Sequence, residues 1–342
     1  MSGILSYSGI VTKARAMGAR LFTKEEYEKI ASMESVADFI GFLKTRQSYR
    51  QLFEGREENS FHRNEIEGLL NYSFYQDYEK LYRFCNQQQR KILRLIFWRM
   101  ETDWLKLCLH RTASGSSKDG IYLSMQFLKK YSDVKLEAVI EADSIIEFAA
   151  ALQGSVYGKL LKELMEHTPI NPHAIEVRLD TFCFTRIWET IEKEFAGSDK
   201  RALKDIYGKQ IDLLNILWIY RTKKYYNSTD AEALPALIPV FYKLRKAELM
   251  ELAGCYTPEE FLHMLEKTYY SELKEEASVE QFYKDNVAHA YRENRKKYPY
   301  SMSAVYCLLY DKMREIDRLT TALECIRYQM DAGQAIQYIL QE

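Results

Sequence analysis

Ser35-Val-Ala-Asp38-Phe39-Ile-Gly-Phe-Leu43 reads as the opening of a capped helix. A serine at this position takes up a first-turn amide, and an acid three residues on reaches back toward the cap. Phe39 and Leu43 then fall on one helical face at i and i+4. Tyr49 and Leu52 follow as a second apolar pair. The same arrangement returns at Ser144-Ile-Ile-Glu147-Phe148-Ala-Ala-Ala-Leu152, with Tyr157 and Leu160 behind it. It returns again at Thr257-Pro-Glu-Glu260-Phe261-Leu-His-Met-Leu265, followed by Tyr270 and Leu273. In this third copy Pro258 takes the first helical position, where a missing N–H costs nothing. One such stretch is an ordinary helix start; three, with Phe39, Phe148 and Phe261 separated by 109 and 113 residues, are a repeat.

Other features keep the period more loosely. Phe74, Phe182 and Phe282 each open a second aromatic-rich helical stretch. Asp103, Asp212 and Asp317 precede apolar stripes on the helices closing each unit, each with a downstream arginine: Arg111, Arg221 and Arg327. Met302, Val305, Leu309, Met313, Ile316, Leu319, Leu323, Ile326 and Met330 recur at three- and four-residue steps and predict one long final helix. Three units, 1–114, 115–228 and 229–342, fill the chain. Breaker residues gather at their junctions, in Thr112–Gly120 and in Asn227–Asp230 with Pro235 and Pro239. Within units, Gly197–Asp199, His167–Pro172 and Tyr298–Tyr300 punctuate the helices.

Composition agrees. Of 342 residues only 6 are Pro and 14 Gly, against average usages of about 5% and 7%. That scarcity disfavours folds of many short strands and predicts an all-α chain with long helices. With 47% hydrophobic and 28% charged residues, a buried core is expected. Forty-eight basic residues balance 49 acidic ones for a net charge of −1, so the basic excess of a nucleic-acid wrapper is missing. No stretch approaches the roughly 18 apolar residues of a membrane span, and the N-terminus lacks a secretory h-region.

Chemical motifs are sparse. Gly115-Ser-Ser-Lys-Asp-Gly120 has the two glycines of a phosphate loop, but Ile121-Tyr122 stands where Lys-Ser/Thr is required. The six histidines form no zinc-helix pattern, and the six cysteines, scattered from Cys85 to Cys325, form no Cys-x-x-Cys pair. They read as buried thiols, and neither metal nor cofactor is expected. The acids at 103, 212 and 317 read either as polar positions lining a shared cavity or as repeated inter-helical pairings, with pairing favoured. Two basic clusters with aromatics, Arg221–Tyr226 and Tyr291–Tyr300, suit helix ends better than base stacking.

The whole resembles a known family. Tyr7-Ser-Gly-Ile-Val-Thr-Lys-Ala14-Arg15 with Arg20-Leu21, Ile211-Asp212-Leu-Leu-Asn215-Ile216 ahead of Arg221, and Asp317-Arg318-Leu319 ahead of Arg327 are similar to the C subunits of the A/V-type rotary ATPases and ATP synthases. The counterpart in the vacuolar enzyme is its d subunit. The resemblance implies a funnel of three pseudo-threefold-related helical subdomains at the cytoplasmic face of the membrane. It implies a non-catalytic rotor part, with central shaft subunits and the membrane-embedded proteolipid ring as partners. On that basis Arg15, Asp212, Asn215, Arg221, Asp317 and Arg327 are candidate partner-binding residues. Position 215 departs from the pattern in the other units, where Lys106 and Thr320 stand. The alternative is a free-standing helical-repeat scaffold for protein partners.

Overall fold

Each of the three capped helices forms where its sequence predicts. Ser35 Oγ accepts from the Asp38 amide at 3.1 Å, Ser144 Oγ from Glu147 at 3.2 Å and Thr257 Oγ1 from Glu260 at 3.2 Å. The return contact differs from the expected box. Glu147 and Glu260 each accept at 2.9 Å from the amide one residue before the cap, on Asp143 and Tyr256. Asp38, one methylene shorter, takes the Ser35 hydroxyl instead, at 2.6 Å. Behind the caps Phe39, Phe148 and Phe261 are fully buried, as are Leu43, Leu152 and Leu265. Each contributes about 1.5–3 kcal/mol of burial.

The computed structural model describes residues 2–118, 120–165, 171–226, 237–271 and 278–341. It is all-α, with 76% helix and no strand among the described residues. The first stretch holds α1 (Ser2–Gly18), α2 (Lys24–Ala31), α3 (Val36–Thr45), α4 (Arg50–Phe53), α5 (Arg63–Phe84) and α6 (Gln87–Ser114). Next come α7 (Ile121–Leu128), α8 (Leu136–Glu141), α9 (Ile145–Ala151), α10 (Gly158–Met165), α11 (Pro172–Glu194) and α12 (Gly197–Arg221). The remainder is α13 (Lys246–Gly254), α14 (Pro258–Leu265), α15 (Val279–Lys297), α16 (Ser303–Arg327) and α17 (Ala332–Gln341). The capped motif helices are thus α3, α9 and α14, and the long closing helices are α6, α12 and α16. At 28, 25 and 25 residues these three are about 42, 37 and 37 Å long.

Terminators fall where backbone chemistry asks for them. Gly115, in the left-handed conformation at φ 61°, ends α6. The predicted linker Thr112–Gly120 is therefore helical as far as Ser114, because the Thr112 hydroxyl is buried and donates to the Ala142 carbonyl at 3.2 Å. Asp119, and with it one linker position, lies outside the described residues, as do His167–Ile170, Asn227–Asp230, Pro235 and Leu273.

Contacts divide the chain into two compact units, Met1–Ile170 with Ala304–Glu342, and Asn171–Ser303. In the first, α16 lies against the hydrophobic core built by α2 to α5: Phe39, Leu43, Tyr49 and Phe53 meet Ile316, Leu319 and Leu323. Met313, expected on the buried stripe, is 44% exposed. The inward place at that turn is taken by Lys312, which rotates Met313 outward. In the second unit α11 and α12 form a helical pair, and α15 packs along α12. All six cysteines are buried thiols, as their surroundings predict. Burial pushes the Cys85 thiol up to about 11 and the Cys108 thiol up to about 12, so both stay protonated.

Candidate functional site

The repeat tyrosine, read from sequence only as an apolar position, has a hydroxyl that must be satisfied once buried. It finds a carboxylate each time. Tyr49 Oη donates to Glu315 at 2.6 Å, Tyr157 Oη to Glu101 at 2.7 Å and Tyr270 Oη to Asp212 at 3.0 Å. All three acids sit on closing helices. The closing helix α6 holds the tyrosine after α9, α12 holds the tyrosine after α14, and α16 holds the tyrosine after α3. Each long helix therefore cradles the motif that follows it in the chain, except α16, which cradles the first motif.

This fixes the register of the acids. Asp212 is one of them, but the equivalents in the other helices are Glu101 and Glu315, two residues before the expected Asp103 and Asp317. Asp103 is half-exposed and pairs along its own helix with Arg99 at 3.2 Å and Lys106 at 3.0 Å. Asp317 is exposed on α16. Two residues turn a helix by about 200°, which moves a side chain from the core face to the outer one. The paired-acid reading therefore holds at Asp212 and shifts by two residues elsewhere.

In the first unit the cradle is closed. Glu315 also accepts from the Phe22 amide at 2.6 Å and from Lys312 Nζ at 2.9 Å. Lys312 Nζ donates to Tyr49 Oη at 2.6 Å and lies 4.0 Å from the centre of that ring. Its side chain is 1% exposed and that of Glu315 3%, so this is a buried ion pair with hydrogen bonds on both members. Burial first, and the Glu315 charge second, raise the Tyr49 hydroxyl well above its ordinary value.

In the second unit the acid holds more backbone. Asp212 accepts from the amides of Tyr242, Lys243 and Leu244 at 3.3, 2.7 and 3.1 Å besides the Tyr270 hydroxyl. Desolvation nevertheless pushes its carboxyl up to about 6, against the pull of those four donors. Asn215, one turn on, exchanges two bonds with the Ile238 backbone, donating at 3.0 Å and accepting at 2.9 Å. Residues 237–244, which sequence reads as part of a linker around Pro239, are thus strapped onto α12. Gly208 makes this possible: a Cβ there would come 2.3 Å from the Tyr242 ring. Tyr242 Oη reaches Asp205 at 3.1 Å, and Asn294 Nδ2 donates to that same carboxylate at 3.3 Å.

The six candidate residues therefore separate into two kinds. Asp212 and Asn215 are each 1% exposed and bear on a partner only through the strap they hold. Arg15 on α1, Arg221 at the end of α12, and Asp317 and Arg327 on α16 are on the surface. Arg221 meets Glu280 at 3.1 Å and Arg327 meets Glu324 at 3.1 Å. Sequence reasoning missed Glu101, Glu315 and Lys312. Among the described residues no group of three or more His, Cys, Asp or Glu is placed to hold a metal, and no helix is long and apolar enough to cross a membrane.

Comparison with known proteins finds relatives along most of the chain. A family model described as ATP synthase (C/AC39) subunit matches residues 10–338. The C subunit of the A-type ATP synthase of Methanocaldococcus jannaschii is 21% identical over 93% of this chain and 82% of its own length. That of Thermococcus kodakarensis is 22% identical over 94% of this chain and 86% of its own. That of Methanosarcina mazei is 22% identical over 79% and 72%. The chain belongs to the ATP synthase C/AC39 subunit family.

Proposed function

We propose that this chain is the non-catalytic rotor component that couples the central shaft of an A/V-type ATPase to its membrane-embedded proteolipid ring. In this reading the three repeat units, 1–114, 115–228 and 229–342, form a pseudo-threefold funnel at the cytoplasmic face. The funnel receives the foot of the shaft, and the opposite face rests on the ring. Rotation then passes through this component to drive ion transport, or back through it during ATP synthesis. No bond is made or broken here, and no cofactor is needed.

The observation that carries the reading is the thrice-repeated cradle in a chain matched by the family from residue 10 to 338. A torque coupler has to resist twisting, and each cradle ties a capped helix to a helix of about 37–42 Å through a charge-assisted bond. A net charge of only −1 suits attachment through protein rather than through anionic lipid. The surface candidates Arg15, Arg221, Asp317 and Arg327 are the residues assigned to partner contact.

The test is reconstitution. Purified protein is mixed with the shaft subunits and with the detergent-solubilised ring, and co-elution is followed by size-exclusion chromatography. Binding to both, weakened by charge reversal at the four surface candidates, is the expected result. Elution apart from both partners overturns the proposal and favours a free-standing scaffold.

A further inference from the structure

In the second unit a cavity of about 310 Å³ opens between α12, α15 and the Tyr269-Tyr270 segment, with Lys209, Phe282, His289 and Glu293 in its lining. Lys209 stands three residues before the cradle acid Asp212, as Lys312 stands three before Glu315. The two lysines are satisfied very differently. Lys312 has partners at 2.6 and 2.9 Å, the range of a strong charge-assisted bond. Lys209, with only 11% of its side chain exposed, has carboxylates at 3.4 Å (Glu293) and 3.7 Å (Asp205).

The cause is local. Asp205, one turn before Lys209, draws it away from the tyrosine, whereas the equivalent position on α16 is Leu308. Asp212 is also a methylene shorter than Glu315 and is already filled by backbone amides. The ammonium is left beside the cavity with one long hydrogen bond, 3.4 Å, to the half-exposed Glu293. A buried ammonium gains most from an acceptor at about 2.8 Å, and the cavity leaves room to bring one. The wall beside it is aromatic, from Tyr269, Tyr270 and Phe282. Glu293, half-exposed, has a second partner to turn to in His289, at 3.3 Å.

We infer that this cavity is a binding site for a carboxylate carried on an aromatic or aliphatic stem, with Lys209 as its anchor. The ligand carboxylate displaces Glu293 from Lys209, Glu293 keeps its contact with His289, and the stem packs on the tyrosine and phenylalanine rings. The volume is at the lower end of the range for small-molecule pockets, about 300–1,000 Å³, so the group bound is small. A free acid and the C-terminal carboxylate of a peptide share this chemistry. The inference is independent of the rotor assignment and stands or falls separately from it.

Isothermal titration of the full chain tests it with two probes. One is 3-phenylpropanoate with its alcohol as the uncharged control; the other is a short acetylated peptide ending in phenylalanine, with a free or an amidated terminus. The expected result is saturable binding of the carboxylate forms alone. Lys209→Met should weaken it by about tenfold or more, and Glu293→Gln should tighten it by removing the competing anion. Binding by the free acid only, or by the peptide only, identifies the source. Lys209→Gln replaces the methionine variant if helix content falls. Failure of both probes to bind, equal binding of the uncharged controls, indifference to the Lys209 variants, or weakening by Glu293→Gln would each overturn the inference.

Discussion

The cradles around Tyr49 and Tyr270 start from the same parts and end in different states. Both have a buried tyrosine, a carboxylate on a long helix, and a lysine three residues before that carboxylate. Around Tyr49 the lysine, the acid and the phenol close on one another with no more than 3% of either charged side chain exposed. Around Tyr270 the acid spends itself on the strap amides, and Lys209 turns toward Asp205 and Glu293. One methylene in the acid and one leucine-to-aspartate difference a turn before the lysine separate the two. The repeated motif therefore keeps the tyrosine-to-acid bond and leaves the lysine open to specialisation.

The contrast predicts unequal costs. Lys312→Met should lower stability most, by about 3–5 kcal/mol, because it strands Glu315 as an uncompensated buried charge. Asp212→Ala should come next at about 2–3 kcal/mol, leaving three strap amides and a phenol without their acceptor. Its signature is faster hydrogen exchange at residues 242–244 with α16 unaffected. Tyr49→Phe should cost about 2 kcal/mol, because Lys312 and Glu315 both lose a partner, and Tyr270→Phe about 1 kcal/mol, because Asp212 keeps its amides. Lys209→Met should also cost about 1 kcal/mol, since its partners are distant and one is half-exposed. Urea-denaturation midpoints read all of these, and equal losses for the two lysines would erase the distinction.

The last test sharpens the picture through pH. The Asp212 carboxyl sits at about 6 in the folded chain, above the unfolded value of about 3.9. The folded state thus binds the extra proton, and this group's contribution falls as pH rises from 4 through 6. From pH 7 to pH 5 the wild-type chain should gain about 1 kcal/mol relative to Asp212→Asn. A constant difference between the two would mean that Asp212 stays ionised throughout.

Much of this is readable in the sequence, and the limits have physical reasons. The caps at Ser35, Ser144 and Thr257 are local, needing only a hydroxyl and an amide three residues on, so their sequence signature is complete. The acids are harder. Aligning the closing helices by their aspartates selects Asp103 and Asp317, whereas the cradle accepts Glu at 101 and 315, where an extra methylene spans a slightly different gap. Lys312 is hidden because a lysine inside an apolar stripe reads as a surface residue, and only the phenol and carboxylate from residues 49 and 315 explain its place. The strap at 237–244 carries a proline and few periodic signals. Its order comes from Asp212 and Asn215, whose bonds to it span 31 and 23 residues of sequence.

The bond between Tyr49 and Glu315 joins residues 266 positions apart, and that sets a schedule for synthesis. Residues 171–303 form a contiguous unit and have every partner for their cradle once they leave the ribosome. The first motif has none until α16 is made: Tyr49 waits with its acid and its lysine still untranslated. Phe39, Leu43 and Phe53 meanwhile lack the α16 residues that complete their core. The part of the chain made first is thus among the last to finish folding, and it is the segment most in need of chaperone cover during translation.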